Sequence, residues 1–165
     1  MRLILSLLLS LMLLLGWSWA SSELAWAAIR QQEEAPGQML YQSRHTLRDD
    51  RGQAWQLVLF KRVKNGTVAE LSLRLVGFPG VAEFAHPQSL TLRTSDGKSF
   101  LGGDRFAKAS PAANVGEYDL QEILPQLAQT QSIKLILPLK PASHQINIPF
   151  PVLLEWQEIA KSSTD

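Results

Sequence analysis

The feature that most constrains the fold is an alternation of apolar and polar side chains on both sides of short glycine turns. In residues 54–63 and 67–77 most alternate positions carry a large apolar side chain: Trp55, Leu57, Leu59 and Val63, then Leu71, Leu73 and Leu75. A period of two is the repeat of a β-strand that buries one face. The pattern therefore predicts a β-hairpin.

The register of this hairpin depends on the length of its loop. A three-residue loop at Lys64-Asn65-Gly66 would place Leu59 opposite Leu71, whereas a two-residue loop would place Leu59 opposite Ser72. A slip of one residue turns every side chain to the other face of the sheet. We therefore predict the three-residue loop, although Asn-Gly more often forms a two-residue turn.

Two other segments carry the same kind of loop. Asp50-Arg51-Gly52 would place Leu47 opposite Trp55, and Ser95-Asp96-Gly97 would place Leu92 opposite Phe100. Both registers keep one face apolar, so we predict three-residue loops here too.

Seven short strands follow from these patterns, at residues 39–48, 54–63, 67–77, 89–94, 98–101, 132–137 and 145–148. Short alternating strands joined by glycine turns are typical of antiparallel sandwiches and barrels. We predict an all-β domain, with the choice between sandwich and barrel left open, plus a short internal helix and a C-terminal helix.

The internal helix is expected at Asp119, where the sequence Asp-Leu-Gln-Glu resembles a capping box. Leu120, Ile123 and Leu124 would form its apolar side, and Pro125 would end it or kink it.

The C-terminal helix is expected to begin near Pro151, since proline suits the first helical turn. Its apolar positions recur at helical spacing at Val152, Trp156 and Ile159. Glu155 and Glu158 would face outward.

The sequence of the N-terminus predicts a secretory signal peptide. Met1-Arg2 supplies a positive charge, and the apolar run Leu3–Leu15 is short for a membrane span. Cleavage is expected after Ala27 or after Ala20, with Ala27 the better match to the small-residue rule. An uncleaved anchor is the alternative. With cleavage after Ala27, the chain divides into a signal peptide, residues 1–27, and a single β-rich domain, residues 28–165.

Composition excludes several kinds of chemistry. The chain has no cysteine, so disulfides, thiolate nucleophiles and zinc–thiolate sites are excluded. The formal net charge of +1 points to no polyanionic partner, and nucleic acid is not expected for an exported protein. We expect export to a periplasm or a thylakoid lumen, with no stable membrane span after cleavage.

The three histidines do not form a recognisable catalytic or metal motif. His45, His86 and His144 are scattered, and none has another ligand at metal-binding spacing. His45 lies on the predicted core face and is expected to be a hydrogen-bonded structural residue. His86, with Tyr118 and Asp119, forms our candidate pocket. We predict no cofactor and no metal.

Four loop carboxylates, Glu83, Asp104, Glu117 and Asp119, are the remaining candidates for chemistry. A converging pair would suit a glycoside hydrolase. Turn and capping roles explain them more simply, so we predict no enzyme.

The reverse face of the hairpins is rich in basic side chains: Arg44, Arg48, Arg62, Lys64 and Arg74, with Glu70, Val58 and Phe60 between them. This face either meets an anionic partner or is a solvated surface on which a helix covers Val58 and Phe60. The corner Gly77-Phe78-Pro79-Gly80 adds an aromatic ring that either points outward as a contact or folds under the sheet, which we favour. The candidate partner-binding residues are Phe78, Arg44, Arg62 and Arg74.

Several segments, among them LRLVGFPGVAEFAHPQSLTL, NVGEYDLQEILPQL and LEWQ, resemble a cyanobacterial family of exported proteins of unknown function. The resemblance covers the mature chain and implies a periplasm or thylakoid lumen, without catalytic residues. We therefore expect a non-catalytic binding or assembly module for a photosynthetic or envelope membrane complex, with a protein partner at or near the membrane. The alternatives are a small-molecule carrier with a barrel pocket and a cell-wall-directed hydrolase.

Overall fold

The computed structural model describes residues 29–162. The predicted signal peptide and both cleavage sites lie outside these residues. The described chain forms eleven strands, one 3-10 helix and one α-helix. The strands are β1 (Ile29–Ala35), β2 (Gln38–Arg48), β3 (Ala54–Lys64), β4 (Thr67–Val76), β5 (Glu83–Phe84), β6 (Leu90–Thr94), β7 (Ser99–Asp104), β8 (Val115–Asp119), β9 (Ile133–Leu137), β10 (Leu139–Lys140) and β11 (His144–Ile148). The 3-10 helix spans Leu124–Leu127, and helix α1 spans Phe150–Lys161.

Nine strands form one antiparallel sheet in the order β1-β2-β3-β4-β8-β7-β6-β9-β11, and β5 pairs with β10 separately. The sheet bends and brings β2 and β11, which lie near its two ends, together: the backbone N–H of Asp50, just after β2, donates to the carbonyl of Gln145 in β11 at 2.9 Å. Within residues 29–162 the sheet does not close into a barrel. The all-β prediction is confirmed, and β1, β5, β8 and β10 were not among the seven predicted strands.

Two of the three predicted registers are confirmed. Leu47 lies opposite Trp55 in the β2–β3 pair, and Leu92 lies opposite Phe100 in the β6–β7 pair. Gly52 and Gly97 end the two loops with φ of 79° and 86°. These values are in the left-handed region, which glycine enters without steric cost.

The predicted register of the β3–β4 hairpin is wrong by two residues. Leu59 lies opposite Leu73, because the turn has two residues, Asn65 and Gly66, and a bulge interrupts the pairing after Arg62. Both turn residues have positive φ, 49° and 76°, as the favoured two-residue hairpin turn requires. The bulge restores the parity that the turn alone would break, so the leucines still share one face.

The predicted short internal helix is confirmed as a 3-10 turn, but it begins at Leu124 and not at Asp119. Asp119 ends strand β8, and its Oδ1 accepts a hydrogen bond from the backbone N–H of Gln121 at 3.0 Å. Pro125 lies in the first turn of the 3-10 helix Leu124–Leu127, so it opens the helical segment. Proline is favourable in the first turn of a helix, because the backbone N–H that it lacks would have no partner within the helix. A single proline can therefore mark the start of a helix as well as its end.

Helix α1 packs on the concave side of the sheet, which we call the inner face. Trp55 on β3 and Trp156 on α1 are each 1% exposed, as predicted. Leucines from β3, β4, β6 and β9 fill the space between the sheet and the helix: Leu57, Leu59, Leu73, Leu75, Leu90, Leu92 and Leu135. No helix within the described residues is long and apolar enough to cross a membrane.

The predicted outward position of Glu155 is wrong. Its Oε2 accepts a hydrogen bond from Ser43 Oγ at 2.8 Å and lies 2.6 Å from His45 Nε2, so Glu155 faces β2. Lys61, which is 4% exposed, donates to the carbonyls of Ala160 and Ser162 at the end of the helix. Burial lowers the pKa of Lys61. These polar contacts fix the helix on the inner face.

Candidate functional site

The opposite side of β2, β3, β4 and β8, which we call the outer face, carries three of the four candidate partner-binding residues. Arg44, Val58, Arg74 and Glu117 lie directly opposite one another on the four neighbouring strands. Side chains that are opposite in antiparallel strands point to the same face. The register therefore forms a row with an arginine on either side of Val58.

Arg44, Arg62 and Arg74 line a depression of about 230 Å³ on this face. The guanidinium carbons of Arg62 and Arg74 lie 5.1 and 5.6 Å from the centre of the Phe60 ring. Phe60 is 5% exposed and Val58 is 7% exposed. Phe60 is thus covered by arginine side chains, and Val58 lines the floor of the depression. The expectation of a covering helix is wrong, since α1 packs on the inner face.

The outer face is less basic than its arginine count indicates. Arg62 forms ion pairs with Glu34 at 2.9 Å and with Glu70 at 2.6 Å, and Arg74 forms one with Glu117 at 2.6 Å. The hydrogen bond from Arg62 lowers the pKa of Glu34. The sequence did not reveal the pairs with Glu34 and Glu117, because these residues come from strands that it did not predict. It missed the pair with Glu70 because the predicted β3–β4 register placed Val68 opposite Arg62.

Arg44 differs from the other two arginines. It is exposed, and within residues 29–162 no carboxylate lies within 4 Å of it. The row thus keeps one positive charge that the described protein does not neutralise.

The Phe78 ring points outward, with 66% of the residue exposed, so the expectation that it folds under the sheet is wrong. Phe78 and Pro79 border a second depression of about 260 Å³, which shares Gln56 and Val76 with the first. Gly77 is close-packed beneath it, since a Cβ there would lie 2.8 Å from the Trp55 ring. The core therefore leaves no room below this corner, and the aromatic ring remains outside.

A third and larger depression, of about 680 Å³, lies between the sheet and the segment 105–114. It shares Arg74 and Val76 with the arginine depression, and its other lining residues are mostly apolar: Phe106, Ala109, Ser110, Pro111 and Val115. Val76 lies two residues after Arg74 in β4 and therefore on the same face. No sequence signal indicated that 105–114 lies beside them.

The structure brings two of the three candidate pocket residues together, His86 and Tyr118, and directs Asp119 elsewhere. His86 Nδ1 lies 2.7 Å from Asp104 Oδ2, and the pKa of Tyr118 is raised by burial and, to a smaller extent, by the charge of Asp104. Asp119 instead pairs with Arg105 at 3.1 Å. Tyr118 and Asp119 are adjacent in β8, so their side chains point to opposite faces.

Two polar atoms near Phe84 are buried without a partner in the described chain, His86 Nε2 and the Tyr118 hydroxyl. The Phe84 ring centre lies 6.3 Å from that of His86 and 6.1 Å from that of Tyr118. Gly116 fits tightly beside them, since a Cβ there would lie 2.8 Å from Phe84 and 2.9 Å from the Tyr118 hydroxyl. The side chains around Phe84 are therefore close-packed.

The four carboxylates predicted to lie in loops lie in strands β5, β7 and β8 instead, and each contacts a basic side chain. Glu117 pairs with Arg74 and Asp119 with Arg105, as described above. His86 and Lys140 hold Asp104 and Glu83, at 2.7 and 3.4 Å respectively. Each carboxylate thus has its own separate partner.

Asp49, Asp50 and His144 form a cluster that the sequence did not reveal, with one ligand-type atom from each within 4.8 Å of the others. Asp49 Oδ2 accepts from Trp55 Nε1 at 3.0 Å and lies 2.6 Å from His144 Nδ1. Its Oδ1 accepts from two backbone N–H groups of the loop, at 2.9 and 2.8 Å. Because both oxygens are already engaged by the protein, we interpret the cluster as a structural link between β2 and β11.

Electrostatics agree with that interpretation. Burial acts to raise the pKa of Asp49, but hydrogen bonds from Trp55, His144 and the loop backbone outweigh it and lower the pKa. The carboxylate side chain is 0% exposed and that of His144 is 8% exposed. A buried carboxylate with this many donors is stable in its ionised form.

Comparison with known proteins identifies the family. Neither the curated proteins nor the solved structures include a match to this chain. The family model described as "Protein of unknown function (DUF3122)" matches residues 27–159, which is most of the chain. The protein therefore belongs to the DUF3122 family.

Proposed function

We propose that this protein is an exported, non-catalytic binding module that holds a protein partner on the outer face of its sheet, at or near a membrane. One observation carries the proposal. All four candidate residues, Phe78, Arg44, Arg62 and Arg74, border depressions on the outer face that are linked through Val76. The face thus combines an apolar floor with arginine side chains and one exposed aromatic ring.

These features are those of a protein-binding surface. Aromatic and arginine side chains are enriched among the residues that dominate binding energy, and charges around them act mainly on encounter rate and specificity. Glu34, Glu70 and Glu117 hold two of the arginines in place, so less conformational entropy is lost when a partner binds.

Export rests on the sequence of the first 27 residues, and the location in a periplasm or thylakoid lumen rests on the resemblance to exported proteins. The absence of a catalytic role rests on the sequence, which lacks a catalytic motif. The carrier and hydrolase alternatives stay predictions, and no contact described above favours either.

The test is capture of partners by the tagged protein from detergent-solubilised membranes of the source organism. Wild type is compared with Phe78→Ala and with Arg44→Glu, and Arg93→Glu serves as the control. Arg93 is an exposed arginine on β6, in the other half of the sheet, so its variant carries the same charge change away from the surface. Arg44 is preferred to Arg62 or Arg74, because changing either of those would leave carboxylates unpaired.

We expect a complex that both outer-face variants lose and the control keeps, and that weakens as salt is raised. Circular dichroism of each variant should match wild type. A complex that survives both Phe78→Ala and Arg44→Glu, or that is lost equally in Arg93→Glu, would contradict the proposal.

A further inference from the structure

We propose that two copies of this chain pair along the free edge of strand β1, with Arg30 of each copy beside Glu34 of the other. The pairing is antiparallel and related by a two-fold axis, so the same edge is used by both copies. This inference goes beyond the proposed function, because it concerns an edge of the sheet and not the outer face.

Strand β1 is an open edge of the sheet. It pairs with β2 on one side and is the last of the nine strands on the other. All its residues after Ile29 are exposed, and it contains neither lysine nor proline, which commonly block such edges. Every second residue of β1 therefore directs its backbone N–H and C=O away from the sheet, where another strand can bind them.

The opposite edge, β11, is partly covered by the chain itself. The carbonyl of Gln145 accepts from the backbone N–H of Asp50 at 2.9 Å, and the N–H of Gln145 donates to Asp50 Oδ1 at 3.0 Å. Within residues 29–162 no comparable backbone contact reaches the free side of β1. Of the two edges, β1 is thus the one that is open to a second chain.

Strand geometry limits the registers that two copies of β1 can adopt. In an antiparallel pair, directly opposite residues either both direct their backbone groups toward each other or both direct them away. Along one strand these two kinds of residue alternate. A pair of identical strands must therefore be centred on a residue and not between two residues.

Charge selects one of these centres. When Gln32 lies opposite itself, Arg30 is beside Glu34 of the second copy, and this contact occurs twice by symmetry. In the same register Gln31 is beside Glu33, whose carboxylate can accept from the side-chain amide. Centres at Arg30, Glu33 or Glu34 would put like charges directly opposite each other, which is destabilising. No other centre within residues 30–34 gives Arg30 a carboxylate.

The charges that meet in this register are not balanced within one copy. Arg62 is shared by two carboxylates, Glu34 at 2.9 Å and Glu70 at 2.6 Å, so these three side chains keep one uncompensated negative charge. Arg30 is exposed, and no carboxylate within residues 29–162 lies within 4 Å of it. Arg30 of the second copy therefore supplies the positive charge that the glutamates lack.

Both residues of the pair lie on the outer face. Arg30 is opposite Gln42, which is opposite Phe60. Glu34 lies at the bulge of β1, and its hydrogen bond from Arg62 places it on the same face. The two-fold axis is thus perpendicular to the sheet, since opposite side chains share one face. A dimer presents both outer faces to the same side, so a partner with two binding segments can engage both copies.

The first test is self-association of the purified protein, measured by sedimentation velocity. A single strand pair buries less than the roughly 1,600 Å² of a standard interface, so we expect a dimer at about 100 µM that dissociates near about 1 µM. Arg30→Glu should weaken the dimer at least about fivefold, because two favourable contacts become repulsive. Arg93→Glu makes the same charge change on β6 and should leave the dimer unchanged. Circular dichroism of both variants should match wild type.

The second test uses single cysteines to determine the register, since the chain has no cysteine of its own. Gln32→Cys puts two thiols opposite each other with Cα atoms about 4.5–5.5 Å apart, within the range of a disulfide. Ala35→Cys is the control, because Ala35 is exposed on the same strand but lies about 20 Å from its counterpart in the second copy. Under mild oxidation, Gln32→Cys should form the linked dimer at least about tenfold faster than Ala35→Cys.

The proposed pairing is overturned if wild type stays monomeric at about 100 µM, if Arg30→Glu and Arg93→Glu have equal effects, or if the two cysteine variants cross-link equally fast. A monomer that still captures a partner through Phe78 and Arg44 would retain the proposed function and reject this inference alone. A dimer that captures no partner would do the reverse.

Discussion

Replacement of Asp49 by asparagine tests whether the Asp49–His144 cluster is a structural link. Asparagine keeps one oxygen for the loop N–H groups and puts an NH₂ donor in place of the other. That NH₂ would face Trp55 Nε1 and His144, which now donate to or contact Oδ2 at 3.0 and 2.6 Å. Hydrogen bonds to a charged group contribute about 1.5–3 kcal/mol each, so we expect a loss of about 3–5 kcal/mol in the free energy of unfolding.

The matched control is Asp50→Asn. Asp50 is exposed, and its Oδ1 accepts one hydrogen bond, from the backbone N–H of Gln145 at 3.0 Å. Asparagine keeps that acceptor, so the expected change is under about 1 kcal/mol. Urea unfolding followed by tryptophan fluorescence measures both variants. Equal effects of the two substitutions, or a loss of less than about 1 kcal/mol for Asp49→Asn, would refute the structural interpretation.

The difference between wild type and Asp49→Asn should depend on pH. The folded pKa of Asp49 is below its ordinary value, so its contribution is present above about pH 4 and is lost as pH falls through the folded pKa. The two unfolding midpoints should therefore converge in acid. A midpoint that Ca²⁺ or Zn²⁺ raises in wild type but not in Asp49→Asn would point instead to a metal site.

Three further substitutions test the packing that positions the outer face. Gly116→Ala should lower the free energy of unfolding by about 1–3 kcal/mol, because its Cβ would overlap the Phe84 ring and the Tyr118 hydroxyl. Gly103→Ala should be close to neutral, because no atom lies within 4 Å of that Cβ position. Equal urea midpoints for the two variants would contradict this. Trp156→Ala should cost about 3–5 kcal/mol by denaturant unfolding, and a small change would mean that α1 contributes little to the core. Glu155→Gln should lower the free energy of unfolding by about 1–2 kcal/mol, because it weakens the hydrogen bonds to Ser43 and His45. Glu158→Gln should leave the thermal midpoint unchanged, because Glu158 is exposed. A larger effect of Glu158→Gln than of Glu155→Gln would mean that Glu155 faces outward.

Local patterns were sufficient for much of the strand pairing. The β2–β3 and β6–β7 registers follow from parity alone, because each hairpin buries one face and a glycine closes its loop. The β3–β4 register did not follow, since the bulge after Arg62 has no marker among the apolar positions. The alternation of apolar and polar residues fixes which face of the sheet a residue occupies. It cannot distinguish two registers that differ by two residues, because both keep every side chain on the same face.

The missed strands lack the signal on which strand prediction depends. In β1 all residues after Ile29 are exposed, so no alternation marks it. Strand β8, VGEYD, has glycine at an inner position, where the adjacent Phe84 ring leaves no room for a side chain. An edge strand and a strand with a close-packed glycine are thus poorly marked by hydrophobic period.

The candidate partner-binding surface was also only partly predictable from the sequence. The sequence by itself determined that Arg44, Arg62 and Arg74 share one face with Val58 and Phe60, because side chains in strands alternate with a period of two. Only the tertiary structure decided that two of these arginines are neutralised, since Glu34 and Glu117 lie on strands far away in the chain.

The sequence likewise determined an all-β domain and a C-terminal helix, because periodicity acts over neighbouring residues. The outward direction of the Phe78 ring, the inward direction of Glu155 and the link between Asp49 and His144 were decided by tertiary structure alone. All three features depend on residues that are remote in the sequence and that the bent sheet brings into contact. Local sequence carries no information about those neighbours, so burial and ion pairing at these positions arise only when the fold closes.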